Sequence, residues 1–220
     1  MNKRYLLTSL FALCFAGSAS AVPFTAVGPQ NAVPFATVTG GGWSVCFSED
    51  YGTSGTDANA IITACPGDLI MLAGAPSGAA DIQLLAYAPK ADVLFVTAVN
   101  ATHNANGTDW YNNDSSMGFA PAGFAINQTS CDTNSAPGFG SVGDDGTDRL
   151  CWHRGSAALS GGWRVGNDTF LNSEPSGFTR YIFSANAADL AAVPEPATLT
   201  LLGLGMVGMA VAIRRRRQTR

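Results

Sequence analysis

The sequence predicts an all-β body, a single sandwich- or barrel-like domain over residues 22–186, stapled by disulfides. Three observations point there. Apolar residues come in short runs, and turn formers separate those runs at regular intervals. Cysteines left in the body are even in number. Short runs punctuated by Gly, Pro, Asn and Asp are the pattern of strands joined by tight turns.

Taken in order, the first strand is expected at 35–39, closed by Gly40-Gly41-Gly42. The next opens on Trp43 and runs to 47. Pro66-Gly67-Asp68 turns the chain into a strand at 69–72, and Pro76-Ser77-Gly78 into one at 82–87. A helix competes over 79–88, where Ile82, Leu84 and Leu85 fit one helical face. The continuous β-branched run at 93–99 beside it favours strands for both. Further strands are expected at 123–126, at 149–153 after Ala136-Pro137-Gly138, and at 178–183 after Pro175-Ser176-Gly177. Gly41-Gly42-Trp43-Ser44-Val45 recurs as Gly161-Gly162-Trp163-Arg164-Val165. Two copies do not establish a repeat; a tryptophan anchoring the core beside a glycine bend accounts for each. Residues 187–193 look like a short Ala-rich linker.

The two ends read differently from the body. Lys3 and Arg4 precede an apolar run over 5–15 and the small-residue stretch Ala19-Ser20-Ala21. That is the layout of a secretory signal peptide over 1–21, with Ala19 and Ala21 as the cleavage signal for signal peptidase after Sec-type export. Its removal takes Cys14 and leaves Cys46, Cys65, Cys131 and Cys151, disulfide candidates in an oxidising compartment. Three connectivities are open. Cys46–Cys65 and Cys131–Cys151 are favoured because each pair brackets a Gly- and Asp-rich stretch. A zinc site fits less well, since no Cys-x-x-Cys spacing occurs.

Residues 197–213 carry no charge and are rich in Leu, Gly, Met, Val and Ala. As a helix they would extend about 25 Å, close to a bilayer's hydrocarbon thickness. Arg214, Arg215, Arg216 and Arg217 follow, a basic anchor within the tail 214–220 that holds the end in the cytoplasm. Ahead of the span, Pro194 and Pro196 keep the chain extended around Glu195. This order over 194–220 resembles the tripartite C-terminal signal of the PEP-CTERM family, exported bacterial proteins handled by an exosortase. The resemblance implies that Pro194, Glu195 and Pro196 are read by that enzyme. It implies an inner-membrane precursor that contacts lipid through 197–213, then a cell-envelope, cell-surface or extracellular product associated with exopolysaccharide. Such tails are also catalogued with ice-binding protein C-terminal domains, which adds ice binding as a lower alternative. Ice recognition generally uses arrayed threonines, and Thr37-Val38-Thr39 stands alone.

Of the chain's 12 basic and 16 acidic residues, five and fifteen fall between Val22 and Val193, a net of about −10. A surface this acidic repels phosphate backbones, which excludes nucleic acid as a partner. The catalytic inventory is thin. Gly-x-Ser-x-Gly is absent, and the histidines are His103, in a polar Asn-rich loop, and His153, expected beside a disulfide. Glu49 and Glu174 are the only glutamates of the body, so a carboxylate pair for glycan hydrolysis would rest mainly on aspartates that turns explain. Calcium is the one cofactor with a candidate site, at Asp144, Asp145 and Asp148 around Gly146, although a turn between strands is the simpler account. Asn100, Asn106, Asn113, Asn127 and Asn167 begin Asn-x-Ser/Thr triplets, a pattern that Asn/Thr-rich loops generate by chance. Trp110, Tyr111, Phe119 and Phe124 are read as core, with sugar stacking as the alternative. The leading expectation is a noncatalytic surface, matrix or exopolysaccharide-associated protein; the alternative is a secreted glycan-acting hydrolase.

Overall fold

A computed structural model describes residues 22–124, 126, 146–155 and 158–191. The expected signal peptide, Pro194-Glu195-Pro196, the segment 197–213 and the four arginines lie outside them. Among the described residues, no helix is long and apolar enough to cross a membrane.

Among the described residues, eleven strands form two antiparallel sheets. The first has five, β1 (Gln30–Pro34), β4 (Asp81–Pro89), β3 (Leu69–Pro76), β11 (Phe178–Ala185) and β2 (Ser44–Asp50), in that spatial order. The second has six, β10 (Asp168–Thr169), β9 (Ala158–Val165), β8 (Leu150–Gly155), β7 (Ser116–Pro121), β6 (Thr108–Asn112) and β5 (His103–Ala105). One core is shared between them. Ile70, Leu72, Leu84 and Ile182 of the first sheet meet Trp110, Phe119, Leu150, Trp152 and Val165 of the second.

The first sheet is covered on its other face as well, which explains why β3 reads as an unbroken apolar run. Met71 and Ala73 point away from the shared core into a second cluster with Val38, Trp43, Phe183 and Leu190. Strands buried on both faces lose the polar half of the usual alternation. Two short helices supply the cover, α1 (Phe35–Gly40) and α4 (Ala187–Ala191).

Several expected elements change identity. Residues 35–39 are helical, because Gln30–Pro34 already occupies the sheet edge beside β4 and Pro34 ends that strand. Thr39 Oγ1 then bonds the Phe35 carbonyl at 3.1 Å, a backward bond open to threonine in a helix. Residues 93–99 are not a strand. α3 (Lys90–Val93) buries Val93, and the chain beyond it crosses from one sheet to the other. Over 123–126, the described residues carry a turn and no strand. Residues 187–191, expected as linker, form α4 with Leu190 buried. The helix α2 (Ala58–Ala64), capped by Asp57 accepting from the Ala60 amide at 3.0 Å, was not foreseen.

Strand β6 has all five residues buried although Thr108, Asp109 and Asn112 are polar. Asp109 accepts from Asn104 at 2.7 Å and from the Gly123 amide at 2.9 Å. Asn112 donates to Asn59 and to the Leu94 carbonyl, both at 3.2 Å, and accepts from Arg154. Asp109 and Asn112 thereby recover hydrogen bonds they gave up on leaving water, whereas the buried Thr108 hydroxyl has no side-chain partner among the described residues.

Candidate functional site

The sorting motif begins just beyond α4, so the geometry that bears on it is how the body holds that helix. Ser184 and Ala185 close β11, and Asn186 turns the chain, its side chain donating to Asp189 at 2.8 Å. The Ala187 amide donates to Asp68 Oδ1 at 2.7 Å. The Asp68 carbonyl, in turn, accepts from the Lys90 amide at 2.8 Å. One aspartate therefore pins the first residues of both α3 and α4. Leu190, 5 % exposed, fixes the other end of α4 against the second cluster. The tail consequently leaves from a fixed point. Beside the start of α4 a shallow apolar groove is lined by Leu69, Lys90, Leu94 and Ala187.

Cys46 and Cys65 are joined, linking β2 to the end of α2 across 19 residues of sequence. Closing a loop of that size stabilises a fold by about 3 kcal/mol on the chain-entropy account. Cys151 is disulfide-bonded too; its partner, and Cys131, lie outside the described residues.

Of the calcium candidates, Asp144 and Asp145 lie outside the described residues. Asp148 ends a short 3₁₀ turn, Gly146–Asp148, and its carboxylate accepts from the Asn31 side chain of β1. Among the described residues, no group of three or more His, Cys, Asp or Glu is placed to hold a metal ion.

His103 departs from expectation, whereas His153 stands as expected on a strand beside a disulfide-bonded cysteine. His103, read as a solvated loop residue, starts β5, pairs with Asp92 at 2.6 Å and stacks on Phe95 with ring centres 4.4 Å apart. An imidazole oriented by a carboxylate is half of a nucleophile-activating system, but its described contacts include no hydroxyl or thiol. His153 lies in β8 with its ring 5.4 Å from that of Trp163, and burial holds its pKa below the ordinary histidine value. The aromatics Trp110, Tyr111 and Phe119 are 1, 2 and 0 % exposed, which makes them core and removes them as sugar-stacking surfaces.

The least foreseeable feature is ionic and internal. Arg180 of β11 points between the sheets at 1 % exposure. Its Nε and Nη2 reach Glu49 Oε1 at 2.7 and 2.6 Å, and Nη2 also donates to the Thr53 carbonyl. Thr56 donates to the second oxygen of Glu49 at 2.8 Å. The guanidinium carbon lies 5.8 Å from the centre of the Trp152 ring. Burial lowers the pKa of Arg180 and the Glu49 carboxylate opposes that effect, so the pair is held by mutual need: either charge alone would be stranded. Tyr51 stands beside it, fully buried, with its hydroxyl reaching the Arg164 carbonyl at 2.6 Å and the Cys151 carbonyl at 3.2 Å. Burial raises its pKa, so the phenol stays neutral. Glu49 is thus committed to the core, and Glu174 is exposed on a loop.

Residues 192–217 match the model of the PEP-CTERM protein-sorting motif. No curated protein and no solved structure matches the chain. The motif marks an exported protein targeted to an exosortase, with the cell envelope or surface as destination.

Proposed function

We propose that this protein is a noncatalytic surface or matrix component, exported by a Sec-type route and presented to the exosortase from the inner membrane. The observation that carries the reading is the sorting motif at 192–217, directly after α4. In the precursor, 197–213 spans the bilayer as a helix, with Arg214 to Arg217 on the cytoplasmic side and Pro194-Glu195-Pro196 extended just outside. The enzyme acts there, and the body passes to the envelope, the cell surface or the surrounding exopolysaccharide.

Two features support a noncatalytic body. Glu49 is held by Arg180, which takes it out of any carboxylate pair. The His103–Asp92 pair sits beside Phe95 rather than beside a nucleophile. Disulfides and a doubly covered sheet suit a protein that must persist outside the cell without repair.

Replacing Pro194 and Glu195 together by alanine tests the sorting step in cells that carry the enzyme. Full-length precursor should accumulate in the inner-membrane fraction, seen as a larger band on immunoblots. Processing at the normal rate would remove motif recognition from the account.

A further inference from the structure

Three of the large apolar side chains that stand exposed on the body do so within one loop. Between α3 and β5, Phe95, Val96 and Val99 are 51, 72 and 47 % exposed. The loop that carries them is fixed. The Leu94 amide donates to the Lys90 carbonyl at 3.0 Å, the Phe95 amide to Asp92 at 3.2 Å, and the Thr97 amide to Asn112 at 2.9 Å. Thr97 itself is buried, and its hydroxyl oxygen accepts from the Asn112 amide at 3.3 Å. A chain that buries the threonine and displays the flanking phenylalanine and valines presents a preformed apolar tip. Contiguous exposed apolar surface marks an interaction site, and a rigid one loses little entropy on contact.

The position of the tip says what it meets. Asp68 anchors the start of α3, which leads into the loop, and the start of α4, which leads into the tail. Leu94, immediately before the tip, shares a groove with Ala187. The tip and the start of α4, which leads into the tail, therefore leave the first sheet at the same end of its strands. If 197–213 spans the bilayer, as proposed above, the residues between Ala191 and the span form a leash of at most about 20 Å even when fully extended. Tethering at that range raises the local concentration of the membrane surface so far that a weak contact suffices.

We propose that Phe95, Val96 and Val99 insert into the headgroup region of the membrane while the precursor is anchored, so that the body stands on this end. Phe and Val at an interface gain by leaving water without needing to cross the hydrocarbon. Asp68, Asp92 and Asp189 lie at this end, with Lys90 and the His103 that pairs with Asp92 as its basic groups, an acidic balance that fits a zwitterionic surface and disfavours an anionic one. The inference rests on the membrane-span reading, and the test separates the two.

The full-length precursor is reconstituted into phosphatidylcholine vesicles containing a phospholipid with a photoactivatable acyl chain, irradiated, digested and mapped by mass spectrometry. Label is expected on peptides covering 94–99 and 197–213. Phe95→Ser with Val96→Asp should abolish the first label and leave the second, and replacing half the lipid by phosphatidylglycerol should weaken the first. Label confined to 197–213 overturns the tip contact and leaves the span standing. Absence of label at both places overturns both. Label at 94–99 that survives the double substitution, or that needs the sorting enzyme in the vesicle, also overturns insertion into lipid.

Discussion

Gly41-Gly42-Trp43 and Gly161-Gly162-Trp163 share a tripeptide and send their tryptophans in opposite directions. Trp43 is 1 % exposed beneath the first sheet, its indole donating to the Phe24 carbonyl at 2.9 Å and its ring 4.9 Å from that of Tyr87. Gly41 is what lets Phe24 approach, since a Cβ there would lie 2.6 Å from the Phe24 Cβ. Trp163 is half-buried on the outer face of the second sheet, between His153 and the exposed Phe170. There the glycine serves a different guest. A Cβ on Gly162 would run into the Tyr51 ring, so the vacant space belongs to a tyrosine in the turn that follows β2 of the other sheet. An irregularity between Cys151 and Trp152 in the pairing of β8 with β9 accompanies the outward turn of Trp163. The lesson is that a glycine pair creates room, and the rest of the fold decides which ring fills it.

That contrast can be broken by substitution. Trp43→Ala should cost about 4 kcal/mol, the range for removing a large buried aromatic. A urea denaturation midpoint close to wild type would show that the second cluster contributes little. Gly162→Ala comes next, at about 3 kcal/mol, because the added methyl must displace Tyr51 or split the sheets. If the same measurement gave no loss, Tyr51 would not be the occupant that matters. Trp163→Ala should cost about 1 kcal/mol or less, as for partly exposed residues away from the core; a loss equal to that of Trp43→Ala would erase the distinction.

The smallest effect concerns pH. Burial lowers the pKa of His153 in the folded protein. As pH falls below about 6.5, the unfolded chain takes up a proton that the folded chain resists, so stability is lost in that window. His153→Gln should remove this share, seen as a smaller drop in denaturation midpoint between pH 7 and pH 5. Identical drops in the two proteins would mean that the imidazole does not contribute.

How much of this was legible depended on whether a residue's role was decided nearby. The strands at 69–72, 82–87, 149–153 and 178–183 follow clear turn signals, and β3, β4, β8 and β11 stand there. The hairpin of β5 and β6 was missed although Asn106-Gly107, with φ of 49° and 69°, is a strong hairpin turn. Its flanks, Asn104 and Asp109, are polar and satisfy each other, so no apolar alternation announces them. The run at 93–99 misled because β-branched residues favour a strand only where a neighbour is free to pair, and here the chain is crossing between sheets. Arg180 lies on a strand, and nothing in its neighbouring sequence says that it faces inward. Glu49, 131 residues earlier, together with the Thr53 carbonyl and the Trp152 ring, makes its inward position tolerable. The sorting end was the clearest of all, being composed of local sequence.

Strand β11 sits between β3 and β2 in the first sheet, yet it is the last strand among the described residues. Without it β2 has no neighbour, and β3 has one raw side. A polypeptide threaded outward from its amino end must therefore wait, unfinished, until residue 185 has emerged. Assembly of the body is thereby timed to the moment when the sorting signal itself arrives.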